Sequence, residues 1–457
     1  MTIKLFGKPL LSLAMAGILV YSHPTQAGGF QITEVCAQCQ GVRNAGMGAS
    51  SIDGAAALYF NPASMTRSSG GDVDVSVHYI DSNFNFQNRG STNAVGRPAV
   101  GITTDNAGKG ATVPTFFYAQ QINNQWAAGI GVNVPYGLST NYNSDWVGRY
   151  NAVESKLETV NINPAVAFRF NEQFSIGLGF NAMWANAKLS NALDFGTLAY
   201  GLGVPGARPS TPAFDGFQKL TGDDWGYGWN AGVLFELSPD TRFGVAYRSK
   251  INTNLNGNVD ITGNALLAQL PAPLGPAFSS RTLPVSAALT LPATLILGAS
   301  HELTDRWSIM AGATWTQWSD FNELRVKFKG TTLPDSVQPE NWNDAWRFSV
   351  GTRYKLSDHW TLRGGFEYDA TPVSGQYITP RIPDADRYWF ALGVGYQISQ
   401  AFSFDLAYTY LFTRNYSIDD HEVTTGQRAG NPLLGSTLRG TYEADASIFS
   451  AQLSWRF

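Results

Sequence analysis

Cysteine is almost missing from this chain: 457 residues hold two, Cys36 and Cys39. Two thiols cannot complete a four-ligand zinc site, and no His lies near them. Charge is scarce as well. Asp, Glu, Lys and Arg make up 14% of the residues, against about 25% in a soluble domain. The net charge of -4 offers no basic field to hold nucleic acid. No apolar run of about 18 residues occurs past the first thirty positions, and mean hydropathy is slightly negative, so helical membrane spans are excluded. Histidine is rare too. Past the N-terminal region there are only His78, His301, His359 and His421. None stands in a Ser/His/acid arrangement, and His359 falls in a short turn, so a phospholipase or protease is a poor reading.

What is present begins with "MTIKLFGKPLLSLAMAGILVYSHPTQA". Lys4 and Lys8 precede an apolar core from Leu10 to Tyr21, and small residues stand at the cleavage positions. This is a secretory signal peptide over residues 1–27, with the mature chain starting at Gly28. Cys36 and Cys39 therefore meet an oxidising compartment. A local disulfide is expected. Free thiols and a redox pair are the alternatives, and the redox pair lacks a βαβ context.

From residue 72 onward the period is two. "DVDVSVHY" sets Val73, Val75, Val77 and Tyr79 against Asp72, Asp74, Ser76 and His78. "FSFDLAYTYLF" and "FSVGTRYKL" alternate in the same way. One face is wet and the other apolar. Fourteen such segments are expected, near 72–80, 113–121, 125–135, 156–170, 173–190, 226–237, 241–258, 286–302, 306–328, 341–356, 359–371, 386–398, 401–416 and 445–457. Tight turns such as "NEQ" and "SPDT" alternate with longer loops such as 191–225, 259–285 and 417–444. An even strand number with short turns at one end and long loops at the other is the pattern of a bacterial outer-membrane barrel. Aromatic residues at strand ends, Trp126, Trp229, Trp307, Trp315, Trp360, Tyr388 and Trp389, suit its interfacial girdles. So does the last strand, "ASIFSAQLSWRF", with its terminal Phe457. A soluble β-sandwich also alternates, but fits this many strands with so few charges badly. The fold class is thus all-β: a 14-stranded antiparallel transmembrane barrel over 71–457.

Three features depart from an open porin. Residues 28–70 do not alternate and are rich in Gly and Ala. Non-strand backbone at membrane depth must be buried in protein or line a cavity, so this stretch is expected inside the barrel as a hatch. The loops "ALDFGTLAYGLGVPGARPSTPAFDGF" and "ALLAQLPAPLGPAF" are apolar for outer loops. They read as a binding surface or as loops packed on each other. The third strand runs "IGVNVPYGLSTNY", where Pro135 removes a ladder donor and Gly137 adds a bendable point. Either the strand kinks there or it ends at Val134.

"GGFQI", "FNPASM", "PYGLSTNY", "WTQWSDF", "DAWRFSVGTRYKLSDHWTLRGGFEYD" and "IPDADRYWFALGVGY" resemble, in order, blocks of the FadL-type outer-membrane transporters. The resemblance covers nearly the whole mature chain. It implies passive uptake of long-chain fatty acids with no chemistry and no cofactor. Apolar outer loops catch the substrate, an apolar pocket receives it, a hatch movement opens a path, and a kinked third strand gives lateral exit. Carried over, Asn61, Pro62 and Ala63 are the hatch motif, and Pro135, Tyr136 and Gly137 the kink. The family's two head-group cations fall on Arg325 and on Asn191, which is uncharged. Lys327 and Lys329 are nearby substitutes, or bind lipopolysaccharide phosphates at the outer rim. Cys36 and Cys39 lie outside the family pattern. A monomer in contact with outer-membrane lipid and lipopolysaccharide is expected. Uptake of aromatic or other hydrocarbons is the nearest alternative, and a role as adhesin or phage receptor is a more distant one.

Overall fold

The computed structural model describes residues 28–421 and 436–457. The expected signal peptide and most of the last expected loop lie outside the described residues. Fourteen antiparallel strands close a barrel, several of them broken in two. They are β1 (Gly71–Asn88), β2 (Ala111–Gln121), β3 (Trp126–Asn133 and Gly137–Asn141), β4 (Glu154–Arg169), β5 (Phe174–Leu193), β6 (Gly216–Ser238) and β7 (Thr241–Arg248 and Ile251–Thr262). Then come β8 (Arg281–Leu291 and Thr294–Thr304), β9 (Trp307–Thr316 and Glu323–Phe328), β10 (Ser336–Pro339 and Ala345–Lys355), β11 (Trp360–Asp369), β12 (Arg387–Gln397), β13 (Phe402–Thr413 and Tyr416–His421) and β14 (Thr437–Arg456). Closure runs from Asp72↔Arg456 to Asn88↔Gly440, so no strand edge is left between first and last.

Several strands are far longer than a membrane requires. β1 has 18 residues, where about 9–11 suffice. Its two halves alternate in opposite phase. Val75, Val77 and Tyr79 point outward, while Phe84 and Phe86 point inward and are buried. The change of phase marks the exit from lipid: below it the apolar face meets acyl chains, above it the apolar face turns in to build a core. β5 and β14 change phase in the same way. Leu178 and Phe180 are exposed and Met183 and Ala185 buried; Phe449 and Leu453 are exposed and Tyr442 and Ala444 buried. Consequently the strands rise into the segments expected as loops. The connections shrink to 194–215 and 263–280, each with a short helix, α3 (Phe195–Gly201) and α4 (Leu274–Ala277). These two loops pack on each other through Phe195 and Phe278, whose ring centres lie 5.4 Å apart.

Residues 28–67 fill the lumen, nearly all of them buried. They form α1 (Ala37–Gly41) and α2 (Ala57–Phe60), a turn at Met47–Ala49 and a 3₁₀ helix at Pro62–Arg67. Small residues permit this. Glycines of the wall face hatch backbone at van der Waals range. A Cβ at Gly177 would overlap the Ala63 amide, one at Gly232 the Asn61 side chain, and one at Gly244 the Gly48 carbonyl. Gly298 and Gly365 meet Ala49 and Val42 likewise. Cross-strand pairing makes these glycines a continuous inner seat: Gly177↔Gly232, Gly244↔Gly298 and Gly351↔Gly365 are partners. Trp389, expected in the outer girdle, is instead fully buried. The Arg43 guanidinium of the hatch lies 3.8 Å above its ring.

Candidate functional site: an amphiphilic pocket, a hatch and a broken strand

The hatch is pinned to the wall by polar contacts at many points. Arg43 donates to Glu367 at 3.0 Å and to Thr33 at 2.8 Å, and is wholly buried. Arg248 donates to the Tyr59 carbonyl at 2.8 Å. Asp74 accepts the Ala56 amide at 2.8 Å. Buried charges held this way are expensive to strip of partners. Asn61 caps the 3₁₀ helix by accepting the Ala63 amide at 3.0 Å, with Pro62 at the first helical position. Its amide nitrogen donates to the Gly48 carbonyl at 2.7 Å and to Val233 of β6 at 2.9 Å. One side chain thus ties two parts of the hatch to the barrel.

Cys36 and Cys39 are joined, and the bond staples the first turn of α1. So short a loop removes little chain entropy, about 2 kcal/mol, and the stapled turn is already surrounded by wall residues. Replacing both cysteines by serine is therefore expected to leave labelled oleate uptake essentially unchanged. A loss of uptake comparable to deleting the gene would show that the staple sets the working shape of the hatch.

The third strand does kink. Asn133 pairs with Asn161, and Gly137 pairs with Glu158. Four steps along β3 therefore face three along β4, a one-residue bulge at Val134, Pro135 and Tyr136. On the other side the β2–β3 ladder stops at Phe116↔Val132, so the wall is parted above that pair. The first residues of the hatch dock on the bulge. The Ile32 amide donates to the Pro135 carbonyl and the Gly137 amide to the Phe30 carbonyl, both at 2.9 Å. Phe30 fills an aromatic box, with ring centres of Trp318, Phe321 and Trp342 at 4.7, 5.5 and 5.7 Å. The Gly28 amide donates to Asp369 at 2.9 Å.

Near the outer end lies a pocket of about 120 Å³ that opens to solvent. One side is apolar: Leu189, Leu220, Val259, Leu324, Val326 and Phe328. The other is polar: Asn151, Asn191, Thr379 and Arg381. Asn191 donates to the Tyr150 carbonyl at 3.2 Å and accepts from Gln218 at 2.9 Å and Arg381 at 3.1 Å. Tyr150 donates to Asp215 at 2.7 Å. Burial, followed by the nearby Asp194 and Asp215 carboxylates, pushes its hydroxyl far above the usual range, so it remains a neutral donor. Leu157, Met183, Leu255, Leu289 and Leu291 belong to the same buried cluster as Phe30 and line the lumen between the two regions.

Arg325 and Lys327 do not join this pocket. Leu324, Val326 and Phe328 turn into it, so period-two alternation sends Arg325 and Lys327 to the opposite face. Thr316 and Val326 of β9 face Thr294 and Ala287 of β8, ten steps against seven. Ten steps are even, so the turn around Trp318–Asp320 leaves the facing of β9 unchanged: Thr316, which meets Gln31 of the hatch, and Val326 both point inward, and Arg325 shares the outward face of Trp315. Arg325 donates to Glu323 at 2.6 Å and to Asp335 at 3.1 Å. These acids hold its guanidinium above the usual pKa. Arg381 was not foreseen from the sequence, since "ITPRIPD" lies in an ordinary-looking loop.

A family model described as outer membrane protein transport protein (OMPP1/FadL/TodX) matches residues 18–457. The long-chain fatty acid transport protein of Escherichia coli O157:H7 is 31% identical over 431 residues, 91% of this chain and 94% of that protein. The 47 kDa outer membrane protein of Pasteurella multocida is 32% identical, covering 94% of this chain and 97% of that one. Among solved structures, a Pseudomonas aeruginosa FadL homologue superposes with a TM-score of 0.83 at 28% identity, over 94% of this chain and 100% of that one. The Pseudomonas putida toluene transporter TodX shares the fold, with a TM-score of 0.66 at 19% identity, over 94% and 99%.

Proposed function

This chain belongs to the outer membrane transport protein family (OMPP1/FadL/TodX), and on that premise we propose that it carries long-chain fatty acids passively across the bacterial outer membrane. The observation that supports this most is the mixed lining of the pocket: hydrocarbon side chains share it with polar and charged ones, Arg381 beside Asp194 and Asp420, which is the chemistry of an amphiphile. Each methylene moved from water to such a wall gains about 0.8 kcal/mol, so a long acyl chain is held without a chemical step. The apolar outer loops deliver substrate. The hatch segment at Phe30 then leaves the bulge at Pro135, Tyr136 and Gly137, and the acid exits sideways into the membrane, with Asn61, Pro62 and Ala63 as the gating turn. Residues 1–27 are removed on export. The closed wall needs no second subunit, and Lys327 and Lys329 at the outer rim contact lipopolysaccharide phosphates. No cofactor or catalysis enters.

Uptake of labelled oleate and of toluene by cells without their own transporter tests the reading. Expression of this chain is expected to restore oleate entry. Restored toluene entry with no gain for oleate would make it a hydrocarbon channel instead.

A further inference from the structure

We infer that Arg248 and Arg347, two arginines buried beneath the hatch, receive the substrate carboxylate when Gln31 withdraws. The inference rests on the fatty-acid reading above and names an inner head-group site for it.

Both arginines line a cavity of about 30 Å³ between hatch and wall, together with Gln31, Tyr59, Phe60 and Glu367. Arg248 is 6% exposed and Arg347 9%. Arginine is almost never buried this deeply unless an acid pairs with it. Yet neither forms an ion pair among the described residues. Arg248 donates to the Asn181 side-chain oxygen and the Tyr59 carbonyl, and stands 4.7 Å over the Tyr59 ring. All of these partners are neutral. Arg347 gives one terminal nitrogen to the Gln31 side-chain oxygen at 3.1 Å, and its Nη1 is buried with no hydrogen-bond partner. The acids on the neighbouring strand are committed elsewhere. Glu367 binds Arg43 at 3.0 Å. Asp369 stands opposite Arg347 and attracts it across the strand pair, but its carboxylate is held by the Gly28 amide at 2.9 Å and by Arg387 at 3.7 Å.

Gln31 marks the place of the ligand oxygen. Phe30 puts its ring in the aromatic box, and the next residue puts a neutral oxygen on Arg347, where Thr316 also reaches it at 3.5 Å. Hydrocarbon in the box and oxygen on the guanidinium is the arrangement that an acyl chain and its carboxylate would make. A carboxylate adds Coulomb attraction that the amide lacks, and this attraction is strong where water is excluded. The space beside the amide, about two water-sized groups, admits the second oxygen and gives Nη1 its acceptor.

Gln31→Glu tests this, because it fixes a carboxylate of the same shape at that point. Hydrogen exchange of residues 30–33 in purified full-length protein reports release of the segment, whose Ile32 amide is bonded to Pro135. Oleate is expected to speed this exchange in wild-type protein. Oleyl alcohol, with the same chain and no charge, should do so far less. Gln31→Glu should slow exchange about 10- to 100-fold without ligand, the size of one charged hydrogen bond, and raise the half-saturating oleate concentration by a similar factor. Arg347→Gln in that background should cancel both effects. Arg248→Gln should weaken the oleate response alone, and Arg248→Lys should keep part of it. Exchange in Gln31→Glu as fast as in wild type, or oleate and oleyl alcohol acting equally on wild-type protein, would overturn the assignment while fatty-acid transport stands. Wild-type protein that binds toluene but neither oleyl lipid would overturn the transport reading, and this assignment with it.

Discussion

Gly244→Ala is expected to unseat the hatch and make the barrel leak. At most positions this change is mild. Gly244 has no left-handed backbone requirement, and removing a glycine's extra unfolded-state freedom ordinarily stabilises by about 0.4–1 kcal/mol. Here the new methyl needs the space occupied by the Gly48 carbonyl of the hatch. Overpacking of that kind costs about 1–3 kcal/mol and exceeds the entropic gain. Part of the strain can be relieved by moving the hatch, since the wall strand is held on both sides, by β6 and by β8. Each 1–2 kcal/mol shifts the ratio of seated to displaced hatch about 5- to 30-fold. Entry of a hydrophilic chromogenic β-lactam into intact cells should therefore rise several-fold, with oleate uptake changed at the same time. Gly201→Ala, in open space on α3, is the control. An unchanged β-lactam rate in Gly244→Ala, with normal barrel yield, would mean that the glycine seat does not hold the hatch in place.

That seat was in plain sight in the sequence. "SIGLGF", "NAGVLF", "RFGVAY", "LILGAS" and "SVGTRY" each place a glycine among strand residues. Glycine weakens a strand, and its recurrence at one level makes sense only where another backbone approaches. Period two alone said that 28–70 belongs in the lumen, because nothing else tolerates non-strand backbone there. It could not say which residues touch. Strand ends were misjudged for a different reason. An alternation that inverts, as between Tyr79 and Phe84, reads as a strand stopping when in fact the strand leaves the lipid. The pocket's cation was hidden for another reason. Arg325 keeps the outward facing of Trp315 across the turn at Trp318–Asp320, so a family match at that position gives the residue type without placing it in the pocket. Arg381 sits in a long connection whose path is set by Tyr142 and Thr140, some 240 residues earlier in the chain. No local pattern carries that information. The bulge in β3 was legible because its cause is local: proline cannot donate to a ladder.

Oleate uptake is expected to fall to background when the hatch is chemically tied to that bulge. Gln31 and Tyr136 are bridge partners, flanked by the Ile32-to-Pro135 and Gly137-to-Phe30 hydrogen bonds. This is the non-hydrogen-bonded type of antiparallel pair, with Cα atoms about 4.5 Å apart. A disulfide accepts Cα separations of about 4.4–6.8 Å. Gln31→Cys with Tyr136→Cys should therefore cross-link without distortion, in a background lacking Cys36 and Cys39 so that reductant acts on one bond only. The cross-link holds Phe30 in its box of Trp318, Phe321 and Trp342 and keeps the parted wall beside Phe116↔Val132 covered. If the acid leaves sideways past the bulge, the oxidised protein cannot pass it, and dithiothreitol restores passage. The reduced double variant reports separately what is lost with the Tyr136 hydroxyl, which donates to the Pro292 carbonyl at 2.9 Å. Oleate binding should survive in the oxidised form, because the outer pocket and Arg381 lie outside the tie. Equal uptake before and after reduction, with the cross-link verified by mass spectrometry, would show that the N-terminal strand does not need to leave the kink. The lateral route would then be wrong, and the path would have to run through the hatch itself, past the buried contacts of Arg43 and Asn61.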